Sequence, residues 1–181
     1  MRAEIQEPWL RFLREVDARL SQQVDVHCLG GFVLAVLWEL PRPTGDVDFI
    51  ESVPASAAEE LLDVAGEDTE LSRRYRLHFH RVTVAEYPEN YASRLTDITP
   101  RGFKSLRLLA LEVHDLVLAK LSRNSPRDRE DVRFLADRGH LKREVLQERF
   151  STELRPYVVN EAREVLTLAL WLDEFLPGAP G

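Results

Sequence analysis

The fold is decided by residues 24–51, which read VDVHCLGGFVLAVLWELPRPTGDVDFIE. The apolar run over residues 24–29 favours a short buried strand, and the pair Gly30-Gly31 ends it. The segment FVLAVLWEL that follows favours a mostly buried helix, which must end before the next prolines. A second strand is predicted over residues 46–51. The stretch is therefore expected to form strand, tight turn, helix, turn and strand.

Outside this stretch, strands and helices alternate first and helices alone follow. The further predicted elements are helices over about 8–22, 54–65, 112–123, 126–138, 141–150 and 160–175 and strands over about 77–84, 94–98 and 105–111. This order predicts an α+β fold. We expect an α/β core over residues 1–111, a helical C-terminal region over 112–176 and a frayed tail over 177–181.

The composition is that of a globular protein. Of the 181 residues, 44% are hydrophobic and 30% are charged, which argues against disorder. No apolar run reaches the roughly 18–20 residues of a membrane span, and the N-terminus lacks a signal-peptide layout, so we expect a cytoplasmic protein without a membrane partner. The single cysteine, Cys28, lies in an apolar stretch and is predicted to be a core residue, with a catalytic thiol as the alternative.

The net charge of −7 does not suggest a nucleic-acid-binding protein, but the charge is unevenly distributed. Residues 73–107 contain eight Arg or Lys against three acids, a local balance of +5. Such a segment could attract a phosphate-rich partner. The alternative is a solvated surface that is rich in arginine.

Asp46 and Asp48 stand in a predicted strand, where aspartate is uncommon. Because they are two residues apart, their side chains should project from one face of the sheet. Two adjacent carboxylates repel each other, and a bound Mg²⁺ or Mn²⁺ would remove that conflict and leave coordination positions for phosphate oxygens. The alternative is a strand end with two solvated acids. Gly30-Gly31, between a strand and a helix, would let backbone amides approach a phosphate.

Lys120 is a second exception to the expected pattern. In the predicted helix 112–123 it continues the spacing of the apolar residues, so it should emerge from the apolar face. In the next predicted helix, Asp128 lies on the apolar face and Asp131 at its edge. These charges could meet each other or a ligand, although Asp128 could also be an ordinary first-turn acid that is favoured by the helix dipole.

Three motifs, in this order, resemble one group of enzymes. The first runs from Gly30-Gly31 through an apolar helix to Arg42-x-Thr44-x-Asp46-Val47-Asp48, the second is HDLVLAKL at 114–121, and the third is RDREDVRFL at 127–135. Together they resemble the AbiEii-type nucleotidyltransferase toxins of the DNA polymerase β-like superfamily and a related bacterial set of uncharacterised nucleotidyltransferase-like proteins. The resemblance spans about residues 26–136.

The resemblance implies a small mixed sheet that carries the acids, a helical C-terminal region, and transfer of a nucleoside monophosphate from an NTP to an acceptor. It implies the following roles: Asp46 and Asp48 as catalytic ligands of Mg²⁺ or Mn²⁺, Gly30, Gly31, Arg42 and Thr44 as nucleotide-binding residues, Lys120 as the group that neutralises the triphosphate, and Asp128 or Asp131 as the residue that orients Lys120 or the acceptor. The implied partners are an NTP, a tRNA or protein acceptor bound through residues 73–107, and a cognate antitoxin.

The sequence departs from this pattern in two places. Many polymerase β-like enzymes carry a third carboxylate on a later strand, but residues 82–85 contain no acid and Glu86 is displaced to the strand's end. A fourth, basic motif has only Lys142 and Arg143 as loose counterparts. We therefore keep two alternatives to an active toxin: an inactive nucleotide- or partner-binding module, such as an antitoxin or regulator, and an interaction protein whose acids are solvated.

Overall fold

The computed structural model of the chain describes residues 5–178, which form two compact units. The first comprises the described residues up to Thr83 together with Leu95–Leu111, and the second comprises Val84–Arg94 together with the described residues from Glu112 onward. The first unit contains a β-sheet, and the second is helical.

The sheet of the first unit has five strands and mixed topology, with strand order β3-β2-β1-β5-β4. The strands are β1 (Val24–Leu29), β2 (Asp46–Val53), β3 (His78–Arg81), β4 (Thr96–Asp97) and β5 (Leu106–Ala110). The pairs β2–β3 and β1–β5 are parallel, whereas β1–β2 and β4–β5 are antiparallel. Strand β1 is buried almost throughout, as expected for a central strand that is covered on both faces.

Four helices belong to the same unit: α1 (Trp9–Arg19), α2 (Gly30–Trp38), α3 (Ala57–Ala65) and α4 (Glu70–Tyr75). The apolar face of α1 buries Phe12, Leu13 and Val16. Phe12 packs against Phe79 of β3, with the two ring centroids 6.0 Å apart. Removing these large apolar side chains from water is the main stabilising contribution to this unit.

The second unit is built from four α-helices, α5 (Val113–Leu118), α6 (Pro126–Asp137), α7 (Arg143–Arg149) and α8 (Glu161–Phe175), with a π-helical segment, Phe150–Leu154, after α7. Apolar side chains of these elements form its core: Leu116, Val117, Leu135, Leu146, Phe150, Leu154, Leu168, Trp171 and Leu172.

A buried ionic network ties the segment Val84–Arg94 to these helices. The carboxylate of Asp115 on α5 is fully buried and accepts hydrogen bonds from Arg94 (2.8 and 3.1 Å) and Arg149 (2.9 Å). Arg94 also donates to Glu153 at 2.7 Å. Arg94, whose side chain is 20% exposed, therefore supplies positive charge to a buried carboxylate that must be paired.

The structure confirms the predicted α+β fold class. It also confirms strand 24–29 and places Asp46 and Asp48 on the less buried face of β2, opposite the buried Val47 and Phe49. Cys28 is buried, and burial raises the pKa of its thiol, which agrees with a core residue and disfavours a nucleophile.

Several predicted bounds were wrong. Of the strand predicted over 77–84, only β3 is formed. The hydrogen bond from Val82 N to Phe49 O (2.8 Å) follows the end of β3, and Val84 is exposed. Helix α4 was not predicted, and the strand predicted over 94–98 is reduced to the two residues of β4, preceded by a 3₁₀ turn, Tyr91–Arg94.

The helix predicted over 112–123 ends at Leu118, so Lys120 lies in a turn rather than in a helix. After Leu118 the backbone bonds tighten to a three-residue spacing, from Lys120 N to Val117 O and from Leu121 N to Leu118 O, and this ends the α-helix. Residues 179–181 of the predicted tail lie outside the described residues. Within 5–178, no helix is long and apolar enough to cross a membrane.

Candidate functional site

Asp46 and Asp48 lie at the beginning of β2, where the neighbouring elements hold both carboxylates. The hydroxyl of Thr44 donates to Asp46 Oδ1 at 2.7 Å, and the ring Nδ1 of His80 lies 2.9 Å from Asp48 Oδ1. The side chain of Asp48 is 21% exposed, so it is fixed by its neighbours and remains within reach of solvent. Two oriented carboxylates on one face of a strand are an arrangement that can bind a cation.

The glycine pair approaches these acids closely. Gly30 has φ +79°, and a Cβ atom at this position would lie 2.5 Å from Asp48 Oδ2, a contact that real Cβ atoms do not make. A Cβ on Gly31 would lie 3.1 Å from Thr44 Oγ1 and 3.8 Å from an Arg42 guanidinium nitrogen. Glycine at both positions therefore lets the backbone at the start of α2 lie directly against the side chains of Asp48 and Thr44.

The start of α2 lies beside the acids. Gly30 begins this nine-residue helix, and the preceding residue, Leu29, provides no side-chain cap. The amide groups of a helix's first turn attract anions when no side chain caps them. The structure thus brings together in one unit six of the residues selected from the sequence: Gly30, Gly31, Arg42, Thr44, Asp46 and Asp48.

Asp46 and Asp48 fit the ligand preference of Mg²⁺ or Mn²⁺, cations whose remaining coordination positions can be filled by other groups. Within residues 5–178, no group of three or more His, Cys, Asp or Glu side chains is arranged to hold a metal ion. Two carboxylates alone leave most coordination positions of an octahedral cation open, and Mg²⁺ sites in nucleotide enzymes are typically completed by phosphate oxygens and water. The pair formed by Asp46 and Asp48, beside an uncapped helix start, fits such a shared site.

Lys120, Asp128 and Asp131 also come together, in the second unit. The Lys120 ammonium donates to Asp131 Oδ2 at 2.9 Å and to Asp128 Oδ1 at 3.3 Å, and all three side chains are buried. Arg123 binds Asp128 through two nitrogens, and Ser125 forms a capping box with Asp128 at the start of α6. The formal charges of these four ionic groups cancel.

Asp128 is the most strongly held member of this cluster. Burial alone would raise its pKa, but the hydrogen bonds from Arg123 and Ser125 and the charge of Lys120 outweigh burial and hold the pKa of Asp128 well below its usual range. The carboxylate is therefore ionised at neutral pH. Within its own unit, Lys120 already has two anionic partners.

Sequence reasoning missed three residues of these clusters: His80, Arg123 and Ser125. Ser125 was detectable, because a serine directly before Pro126, with an acid three residues later, is a typical start of a helix. His80 was not, since only the parallel pairing of β2 with β3 brings it beside Asp48.

Several positive charges of the basic segment 73–107 are paired with acids, so fewer of them are available to a partner than the composition indicates. Arg74 is paired with Glu15 and Glu70, and Arg107 is paired with Asp25 and Asp97. Arg94 belongs to the buried network of the second unit. Three of the eight basic side chains are thus neutralised by acids, and an acceptor-binding role for this segment stays a prediction.

Comparison with known proteins identifies a family. A family model described as "Nucleotidyltransferase of unknown function (DUF6036)" matches residues 11–175, which is most of the chain. Comparisons with curated proteins and with solved structures found no match.

Proposed function

The chain belongs to this family of nucleotidyltransferases of unknown function, and from that membership we propose that it transfers a nucleoside monophosphate from an NTP to an RNA or protein acceptor, with Mg²⁺ or Mn²⁺ as cofactor. The observation that carries the proposal is the arrangement on the first unit: two oriented carboxylates, Asp46 and Asp48, lie beside the uncapped start of α2, where Gly30 lets the backbone approach Asp48 closely. Nucleotidyl transfer requires cation ligands next to a phosphate cradle.

The residues of the chain then act by binding and orientation. Asp46 and Asp48 bind the divalent cation, which supplies neutralisation of the triphosphate charge when it is bound. Thr44 keeps Asp46 oriented through the 2.7 Å hydrogen bond. The first amides of α2, together with the Arg42 guanidinium beside Gly31, bind phosphate oxygens.

Three finer parts of the proposal go beyond family membership. We place the family close to the AbiEii-like toxins, with this chain as the toxin of a toxin–antitoxin pair that acts in the cytoplasm. The acceptor contacts the part of segment 73–107 whose charges are not neutralised. The predicted contact of Lys120 with the triphosphate, oriented by Asp128 or Asp131, stays a prediction that rests on the sequence motif.

The proposal is tested by transfer of label. The protein is incubated with Mg²⁺, each α-³²P-labelled NTP in turn, and either total RNA or a cell lysate. We expect one NTP to label one class of acceptor, and Asp48→Ala and Asp46→Ala to lower the rate about 100-fold or more. Asp63→Ala is the matched control, because Asp63 is an exposed acid on α3. Equal labelling by wild type and Asp48→Ala would refute the proposal.

The toxin role needs a separate experiment in cells. Induced expression of the wild-type chain should arrest growth, whereas Asp48→Ala at equal abundance should not. Asp63→Ala should arrest growth like the wild type. Arrest by Asp48→Ala that equals that of the wild type would exclude nucleotidyl transfer as its cause.

One observation favours a second candidate function, a nucleotide- or partner-binding module without activity. Strand β3 ends at Arg81, residues 82–85 carry no carboxylate, and the described residues provide no third acid for the cation site. Calorimetry with Mg²⁺ and each NTP separates the two functions. Tight NTP binding that Asp48→Ala abolishes, with no transfer to any acceptor, would support the binding module.

A further inference from the structure

The structure draws attention to a histidine that no motif contains. Strand β3 pairs in parallel with β2, and this register sets His78 opposite Asp46 and His80 opposite Asp48. Side chains at paired positions of neighbouring strands project from the same face of the sheet. His80 therefore stands on the acid-bearing face of the sheet, with 55% of its side chain exposed.

The contact between His80 and Asp48 has a defined polarity. An ionised carboxylate can only accept hydrogen bonds, so the ring must donate its Nδ1 proton to Asp48 Oδ1 across the 2.9 Å contact. The other oxygen, Oδ2, then faces Gly30, 2.5 Å from the place that a Cβ would occupy. The imidazole and the glycine together define one orientation of the carboxylate.

We propose that His80 is a positioning residue of the cation site, which fixes the carboxylate of Asp48 in the orientation that binds the metal. This inference rests on the proposed function of Asp46 and Asp48. Groups that hydrogen-bond a metal ligand typically change metal affinity by about 10- to 100-fold when they are removed, because the ligand must otherwise be ordered as the metal binds. Asp46 receives the equivalent support from Thr44.

The geometry also explains how two carboxylates can be sufficient here. On β3, the position next to Asp48 carries a hydrogen-bond donor rather than a third acid. A donor orders the existing ligand without adding negative charge to the pair. Rigid ligands lose less freedom on binding, and this compensates in part for a small ligand number.

The test measures binding of Mn²⁺ alone, by the electron paramagnetic resonance signal of the free ion, so that no activity is needed. His80→Ala should weaken Mn²⁺ binding about 10-fold or more. His80→Asn should restore affinity to within about 3-fold of wild type, because the asparagine amide can donate from nearly the position of Nδ1. His78→Ala is the control on the same strand and should leave the affinity within about 2-fold.

A spectroscopic readout tests the hydrogen bond itself. Long-range ¹⁵N–¹H NMR correlations should show His80 with its proton on Nδ1, and Asp48→Ala should abolish that preference. A wild-type His80 whose proton is mainly on Nε2 would overturn the inference.

The variants test the cation site and the role of His80 separately. If Asp48→Ala binds Mn²⁺ as tightly as wild type, the cation site and thus the proposed function are wrong. If Asp48→Ala loses Mn²⁺ binding while His80→Ala keeps it, only the role of His80 is wrong. Failure of His80→Asn to rescue His80→Ala would also overturn the inference, because donation from the Nδ1 position is its physical basis.

Discussion

The stability of the second unit should depend on pH through one buried glutamate. Glu164 on α8 is 2% exposed, and its carboxyl group lies against that of Glu86. Within the described chain, the Oε2 atoms of both residues are buried and lack a hydrogen-bond partner. Burial first, and then the neighbouring carboxyl group of Glu86, raise the pKa of Glu164 from 4.5 to about 8, against the weaker opposing effect of Arg163.

The magnitude follows from the two pKa values of Glu164. Between pH 4.5 and about 8 the folded chain keeps a proton on Glu164 that the unfolded chain releases. The contribution of Glu164 to stability is therefore fully present below pH 4.5 and is lost as the pH rises towards about 8. Over the whole window the loss is on the order of a few kcal/mol of the free energy of unfolding, compared with the ~5–15 kcal/mol of a typical domain.

The perturbation is Glu164→Gln, which replaces the carboxyl group by an amide that stays neutral at every pH. Free energies of unfolding are measured by urea denaturation with far-UV circular dichroism, from pH 5 to pH 9. The wild type should lose stability over this range more steeply than the variant, so that the variant becomes the more stable protein at high pH. Glu148→Gln, at an exposed position of α7, is the matched control and should follow the wild type.

Parallel pH profiles of wild type and Glu164→Gln would show that the pKa of Glu164 is not raised in the folded chain. Glu86→Gln provides a second test that leaves Glu164 in place. Removing the negative neighbour should lower the pKa of Glu164, so the loss of stability should begin at a lower pH and be smaller in total. A Glu86→Gln profile identical to that of wild type would show that the two carboxyl groups do not interact.

Three further predictions concern the clusters of each unit. Gly30→Ala should lower the free energy of unfolding by about 1–2 kcal/mol, because Gly30 has a positive φ. The same change should weaken Mn²⁺ binding about 10-fold, because the added Cβ displaces Asp48. Gly102→Ala, with φ +89° and open space around it, should show the stability loss without the metal effect in parallel denaturation and Mn²⁺ titrations. Asp115→Asn should destabilise by about 3–5 kcal/mol in urea denaturation, because Arg94 and Arg149 lose their buried partner, and a loss below 1 kcal/mol would contradict the network. Lys120→Met should cost about 3–5 kcal/mol, and the added change Asp131→Leu should recover part of this if the cluster is structural; a stable single variant would contradict that assignment.

The region that carries the candidate site was predictable because its signals are local. Strand β1, the glycine pair, helix α2 and strand β2 follow one another within 30 residues, and each is marked by an apolar run or by glycine and proline. The facing of Asp46 and Asp48 follows from the period of two in a strand, which any strand register preserves. Local rules therefore predict the strands, the helix and the turns that carry the six candidate residues.

The features that the sequence did not predict depend on pairing between distant segments or on backbone hydrogen bonding. His80 reaches Asp48 only because β3 pairs in parallel with β2, after two helices and 32 residues. The end of α5 at Leu118 is set by a change to three-residue hydrogen bonding, for which the apolar spacing around Lys120 gives no warning. Segment 84–94 joins the helical unit through Arg94 and its buried acids, a contact that no periodicity contains.

In the sequence, the acids of β2 and the Lys120 cluster both place charge where apolar residues are expected. The structure distinguishes them by exposure and charge balance. Lys120, Asp128 and Asp131 have side chains at most 7% exposed, and with Arg123 their charges cancel, so the cluster needs no ligand to be stable. Asp48 is 21% exposed and adds its charge to that of Asp46 on the same strand. A cation has both access to this pair and an electrostatic reason to bind it, so the acids of β2 are the stronger candidate for the chemistry.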